Sequence, residues 1–159
     1  MPGEREYRVC TRDEIAGLTG LEFLQAMIDN RLPSPPFAHT LGFRLVEVAP
    51  GLAVFEGDTG PHLFNPLGSV HGGWALTLID SATGCAVHSE LPSGTGYTTV
   101  ETKANFTRGI AADTGTVRCD GRVVHRGRQL ATAEARLTGP DGRLLAHGTS
   151  TLMILPPRD

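Results

Sequence analysis

Residues 64 to 82 read FNPLGSVHGGWALTLIDSA, and they place one carboxylate, Asp80, in a run of Val, Trp, Ala, Leu and Ile just downstream of a Gly pair. A carboxylate in apolar surroundings can direct a water at a carbonyl carbon as general base, or attack the carbon itself. The glycines supply the complementary feature. The first turn of a helix presents unpaired N–H groups and the positive end of the dipole, and Gly lets a substrate approach that backbone closely. Gly72 thus fits a donor to a developing oxyanion, and Asp80 fits the acid or nucleophile. Eight residues separate them, about 12 Å along a helix, too far for both to act on one carbonyl. Two helices running antiparallel across a two-fold axis would bring Gly72 of one chain to Asp80 of the other.

Each of these residues also has a plainer reading. Asp80 could be an ordinary helix acid at a dimer contact, but no Lys or Arg lies at i±3 or i±4, and an unpaired buried carboxylate is costly. Gly73 falls on the polar strip of the helix and serves close packing as readily as substrate approach. Asn65 either caps the turn at Pro66 or joins the site. His71, at the helix start, is expected to position the Gly turn. His39, His62, His88, His125 and His147 show no metal-ligand spacing, so no metal is expected. Arg108, Arg126 and Arg128 fall at strand ends or turns, where they are either solvated or placed to contact phosphates.

The elements that must hold these residues follow from periodicity. Residues 70 to 89 lack Pro and form one helix, with Gly73, Thr77, Asp80, Ser81, Gly84 and His88 on a narrow strip and apolar residues over the rest. Such a helix has to be surrounded. Before it, Leu21, Leu24, Met27 and Ile28 predict one leading amphipathic helix stopped by the Pro-Ser-Pro-Pro run at 33 to 36. Two apolar runs around Ala49-Pro50-Gly51 predict a hairpin. After it, segments 97 to 107, 114 to 125, 129 to 138 and 143 to 154 read as an antiparallel meander. The expected fold is α+β: a curved antiparallel sheet of about six strands wrapped around one long central helix, with an extra N-terminal helix. The strip is then free to face a second copy, and pairing across a two-fold axis would hide the sheet edges.

At 159 residues the chain is one folding unit, read as an N-terminal helical extension over 1–40 and a main domain over 41–159. A net charge of −3 and the absence of basic blocks argue against nucleic acid as a partner. No apolar run suits a secretion signal or a membrane span, and Cys10, Cys85 and Cys119 have no disulfide or zinc spacing. A cytoplasmic location with reduced thiols is expected.

The segment NPLGSVHGGWALTLIDSA, taken with the order hairpin, helix, meander, resembles the signature of hotdog-fold acyl-CoA thioesterases, the superfamily of the phenylacetate-pathway and 4-hydroxybenzoyl-CoA enzymes. The resemblance runs from about Leu41 to Leu155. It implies hydrolysis of an acyl-CoA thioester at sites shared between subunits of a homodimer or homotetramer, with coenzyme A as part of the substrate and no other cofactor. It makes Asp80 the catalytic carboxylate, Gly72 the oxyanion glycine and Asn65 the polar residue before it. His71 matches the family's histidine, and Thr99, or Thr98 in the neighbouring register, the hydroxyl early in the next strand. Gly73, Trp74, Leu67 and Ser81 are then candidates to contact an aryl or medium-chain acyl group, and Arg126 and Arg128 to contact the carrier's phosphates. Two other activities occur on this fold. Hydro-lyases acting on 3-hydroxyacyl thioesters pair the helix acid with a catalytic His and usually open the helix with Pro-Gly, which Gly72-Gly73 replaces here. Acyl-CoA sensors carry a DNA-binding module, for which about 40 leading residues with one expected helix are too few.

Overall fold

The computed structural model describes residues 5–157; residues 1–4, the start of the charged N-terminal segment, and residues 158–159 lie outside it. In chain order the elements are α1 (Arg12–Ile15), α2 (Gly20–Ile28), α3 (Pro36–Leu41), β1 (Phe43–Ala49), β2 (Leu52–Asp58), α4 (Gly72–His88), β3 (Gly96–Phe106), β4 (Thr116–Arg126), β5 (Leu130–Thr138) and β6 (Leu144–Leu155). Short 3-10 turns follow β2 and β3.

The leading segment is divided more finely than its apolar spacing predicts. Instead of one helix there are α1 and α2, separated at Gly17, whose φ of 78° is left-handed and ends the first turn of helix. Each starts on its own capping box: Thr11 accepts from the Glu14 N–H, Thr19 from the Glu22 N–H, and each Glu side chain accepts from its cap's N–H in return. α2 stops at Ile28, ahead of the Pro run, and Pro36 opens α3 rather than only closing what precedes it.

All six strands form one antiparallel sheet in the order β1-β2-β4-β5-β6-β3. β1 and β2 are the expected hairpin. The expected four-strand meander is three strands long, since β4, β5 and β6 are consecutive but β3 pairs with β6 at the far edge. The connection over residues 107–115 carries the chain from that edge to β4, beside β2.

The concave face of this sheet closes on α4. Along β5 the alternation is strict, with Ala131, Ala133, Ala135 and Leu137 buried and the residues between them exposed, the pattern of a strand with one solvated face. On that outer face charges pair across strands, Arg44 with Glu56 at 2.8 Å and Arg118 with Glu47 at 2.8 Å. Leu78, Ile79, Ala82 and Ala86 of α4 are fully buried, and Leu24 of α2 and Ala38 of α3 join the same core, while Val87 packs with Ala131, Ala133 and Leu152 in a smaller cluster. The helix lies so close to the sheet that three strands carry Gly beneath it, at Gly57, Gly121 and Gly148. A Cβ on Gly57 would sit 2.7 Å from the Trp74 ring, and one on Gly121 would collide with the Ala82 carbonyl.

A side chain at Gly121 must therefore push α4 off the sheet. Gly121→Val is expected to cost about 2–3 kcal/mol or to prevent folding. Gly96→Ala, where a Cβ meets nothing within 4 Å, should stay within about 0.5 kcal/mol of the parent. Urea midpoints of the two variants test the difference.

Candidate active site

Edge strand β3 runs beside the open strip of α4, and its register decides what meets Asp80. Thr99 pairs with Leu152 and Glu101 with Thr151, which leaves Val100 as a bulge residue, 56% exposed. Side chains of a regular strand alternate, so Thr99 and Thr102 would point to opposite faces. The bulge shifts the phase by one and turns both toward the helix. Both hydroxyls then donate to the same carboxylate oxygen, Oδ1 of Asp80, at 3.0 Å each. Thr99 thus meets the carboxylate, and Thr98 is exposed.

Behind Thr102 lies a chain of hydroxyls absent from the sequence reading. Ser150 Oγ is 3.0 Å from Thr102 Oγ1 and 2.7 Å from Thr83 Oγ1, with Thr83 and Ser150 almost wholly buried. A carboxylate only accepts, so the Thr102 proton is committed to Asp80. Ser150 then donates to Thr102 and Thr83 to Ser150, each bond polarising the next. Asp80 Oδ2 has no partner among the described residues, and no buried side-chain oxygen is left unpaired, so Oδ2 is the accessible oxygen. One oxygen is fixed and the other is free for a water or an electrophile. Among the described residues no histidine bonds Asp80.

One turn further along, Tyr97 lies across Gly84. Burial holds the phenol well above its ordinary range, and desolvation pushes the half-buried Cys85 thiol up to about 12, so that thiol stays protonated. The ring of His88 sits 5.5 Å from Tyr97 on one side and 5.5 Å from Phe23 on the other. Burial lowers its pKa and keeps it neutral. The strip expected to be open along its whole length is therefore covered at Gly84 and His88 by the chain's own aromatic residues.

At the other end of α4 the backbone donors are sorted by His71. As N-cap, His71 accepts the Gly73 N–H at Nδ1, 2.8 Å away, which occupies that donor. The Gly72 N–H bonds no described residue. Gly72 lines a cleft of about 260 Å³ with Phe106, Arg108 and Ile110, and a Cβ there would lie 3.2 Å from the Phe106 ring. Asn65 is engaged locally. Its Oδ1 accepts from the Leu67 and Ser69 N–H groups at 2.9 and 3.3 Å, and its Nδ2 donates to Ser69 Oγ at 3.0 Å. It holds the loop that leads to His71.

The remaining candidates are dispersed. Trp74 is a core residue: its ring packs on Gly57 and its Nε1 donates to the Leu41 carbonyl at 2.8 Å, so it does not wall the cleft. Leu67 is 93% exposed on the Asn65 loop, and Ser81 is half-buried on the strip. Arg126 faces Glu90 at 3.4 Å beyond the C-terminal end of α4, and Arg128 occupies the β4–β5 turn. Both are a whole helix, about 25 Å, from Gly72 of the same chain. The arginine that shares the Gly72 cleft is Arg108. Among the described residues no group of three His, Cys, Asp or Glu is placed to hold a metal ion, and no helix is long and apolar enough to cross a membrane.

Comparison with known proteins agrees with this geometry. The family model described as thioesterase superfamily matches residues 67–146, which span Gly72, Asp80, Thr99 and Thr102. A candidate esterase of Mycobacterium tuberculosis is 30% identical over 126 residues, 77% of this chain and 89% of its own. Two solved structures superpose with a TM-score of 0.74. One is a thioesterase family protein of Silicibacter pomeroyi, 30% identical, covering 84% of this chain and 98% of that one. The other is a candidate thioesterase of Ralstonia eutropha described as related to phenylacetic acid degradation, 28% identical, covering 82% and 98%. The chain belongs to the thioesterase superfamily and has its hotdog fold. Thioester hydrolysis is the general activity that membership supports.

The capping role of His71 has a measurable size. Loss of an N-cap acceptor costs about 1 kcal/mol, so His71→Ala should lower the unfolding free energy by about that amount. His71→Asn, which restores a side-chain acceptor, should recover most of it in chemical denaturation.

Proposed function

We propose that the protein hydrolyses an acyl-CoA thioester, with an aryl or medium-chain acyl group, to the free acid and CoA at sites shared by two protomers. The observation that carries this reading is the asymmetry of Asp80. Two threonine hydroxyls fix one carboxylate oxygen and leave the other exposed, the state required of a general base or nucleophile. On the same helix the Gly72 N–H is unpaired, as an oxyanion donor has to be. Along α4 the two are about 12 Å apart, so one carbonyl can meet both only if they come from different chains.

The surface supports such pairing. β3 is an edge strand with Val100 56% and Phe106 55% exposed, and it lies against the strip that carries Asp80. A second copy laid antiparallel on that edge would cover these residues and the unpaired backbone of the strand. In this arrangement Asp80 Oδ2 directs a water at the carbonyl carbon, or attacks it to form a mixed anhydride that water then hydrolyses to the free acid and the restored carboxylate. The partner's Gly72 N–H receives the oxyanion, and CoA leaves as the thiolate and takes up a proton. Thr99 and Thr102 orient the carboxylate, while His71 and Asn65 set the turn that presents Gly72. Arg108, Arg126 and Arg128 are the cations available to the carrier's phosphates.

Asp80→Asn keeps shape and loses the base, so on a panel of acyl-CoAs it should lower kcat by about 10² or more with KM nearly unchanged. Retained turnover would remove Asp80 from the mechanism. The shared site has its own test, in which inactive Asp80→Ala is refolded together with inactive Gly72→Pro, since Pro removes the N–H and is tolerated at the first helical position. In an equal mixture about half the dimers are mixed and half of their sites are intact, so about a quarter of the activity should return. No recovery, with subunit exchange shown by tagged pull-down, would rule out the divided site.

A further inference from the structure

Asp80, Gly84 and His88 succeed one another at i, i+4 and i+8, one above the next on a single face of α4. Gly84 leaves the space beside the carboxylate empty of side chain on the helix, and Tyr97 fills it. A Cβ on Gly84 would lie 2.7 Å from the Tyr97 hydroxyl. Tyr97 stands two residues before Thr99 on the same face of β3, so its ring is the next side chain along the strand from the group that holds Asp80. Beyond the ring lies a cavity of about 620 Å³, lined by Tyr97 and His88 and, from the N-terminal segment, by Arg12, Ile15, Leu18 and Phe23. That volume is in the range of small-molecule sites. The mechanism uses none of these side chains.

Resting on the acyl-thioesterase reading above, we propose that this cavity receives the far end of an extended apolar acyl chain and that Tyr97 is the gate between it and Asp80. The chemistry of the wall selects the occupant. Ile15, Leu18, Phe23, Leu155 and the Tyr97 ring make the greater part of the wall apolar, the surface an alkyl chain matches, and Arg12 is its one arginine. Length selects further, because His88 is about 12 Å along the helix from Asp80. An aryl ring attached at the carbonyl stops short of it, and an extended alkyl chain spans it. The gate lies over Gly84, which has no side chain to pin the ring. Tyr97 is in this sense a specificity-determining residue, and the N-terminal helices are part of the substrate site.

The test uses straight-chain acyl-CoAs from butanoyl to hexadecanoyl and the matching S-alkyl-CoA thioethers, which bind but cannot be hydrolysed. Tyr97→Ala opens the gate and should raise the ratio of long-chain to short-chain kcat/KM at least tenfold. Ile15→Trp fills the cavity from the opposite wall and should lower that ratio by a similar factor. It provides the reading if Tyr97→Ala does not fold. Thioether dissociation constants from calorimetry, measured in Asp80→Asn and in Asp80→Asn with each second change, should shift in the same directions. An unchanged length profile in either folded variant overturns the gate and cavity and leaves the hydrolase reading standing. Length-dependent thioether binding that shifts as expected, without turnover of any acyl-CoA by the parent protein, sustains the cavity and overturns the hydrolase reading.

Discussion

The arrangement depends on how a carboxylate can be kept in the middle of a helix that a sheet surrounds. Water does not reach all of Asp80, no cation lies near it on its own helix, and leaving its oxygens unpaired would cost more than a domain of this size can offset. The protein meets the requirement with hydroxyls. Two threonines from one strand converge on one oxygen, and Ser150 and Thr83 extend the line into the core. A pair of threonines three apart can do this only where the strand is out of phase. The bulge at Val100 is thus a condition of the carboxylate's hydrogen bonding, and a bulge is most easily accommodated in a strand with a free edge. The outermost position of β3 and the charge on α4 are two sides of one constraint.

The same helix also solves the opposite problem at its start. Four N–H groups at a helix N-terminus lack helical acceptors, and here they are not all left to solvent. The imidazole of His71 takes the Gly73 donor, and the Trp74 N–H bonds the His71 carbonyl at 3.0 Å. What remains directed outward is the Gly72 N–H, under the Phe106 ring of the strand that holds Asp80. One edge strand therefore touches each functional position of α4 in turn: Tyr97 at Gly84, Thr99 and Thr102 at Asp80, and Phe106 at Gly72. Any displacement of β3 would disturb all of them together.

How much of this the sequence carries depends on whether the signal is local. Periodicity delimits α4 to within two residues, the Ala49-Pro50-Gly51 turn gives the β1–β2 hairpin, and an acid in an apolar run points to Asp80. Thr99 follows from the resemblance. Thr102, Ser150 and Thr83 do not, because a bulge at a β-branched valine leaves no mark in composition and the two strands involved are far apart in the chain. Trp74 reads as part of a binding wall until Gly57, on another strand, is seen to make room for its ring. Placing β3 next to β4 follows from sequence adjacency, and the actual order is set by the need to lay β3 along α4. The two capping boxes at Thr11 and Thr19 are legible as Thr-x-x-Glu, a local pattern that the apolar spacing from Leu21 onward does not include.

The division of labour along the strip also explains why the N-terminal helices sit where they do. Around Asp80 every group is small, hydrogen-bonded and fixed by neighbours on both sides, so little can change there without breaking the hydroxyl line. Past Tyr97 the walls are supplied by α1 and α2, which meet α4 at its last turn, where the Gly20 N–H donates to the Leu91 carbonyl at 3.0 Å. Gly20 has no room for a side chain against the His88 carbonyl, so the contact is close, but the residues on either side of it face a cavity and not the core. Substitutions at Ile15 or Leu18 alter the shape of that cavity and touch neither Thr99 nor Thr102. The fold thereby separates the part that must stay constant for the carboxylate to be reactive from the part that can vary with the ligand, using a single aromatic ring as the boundary between them.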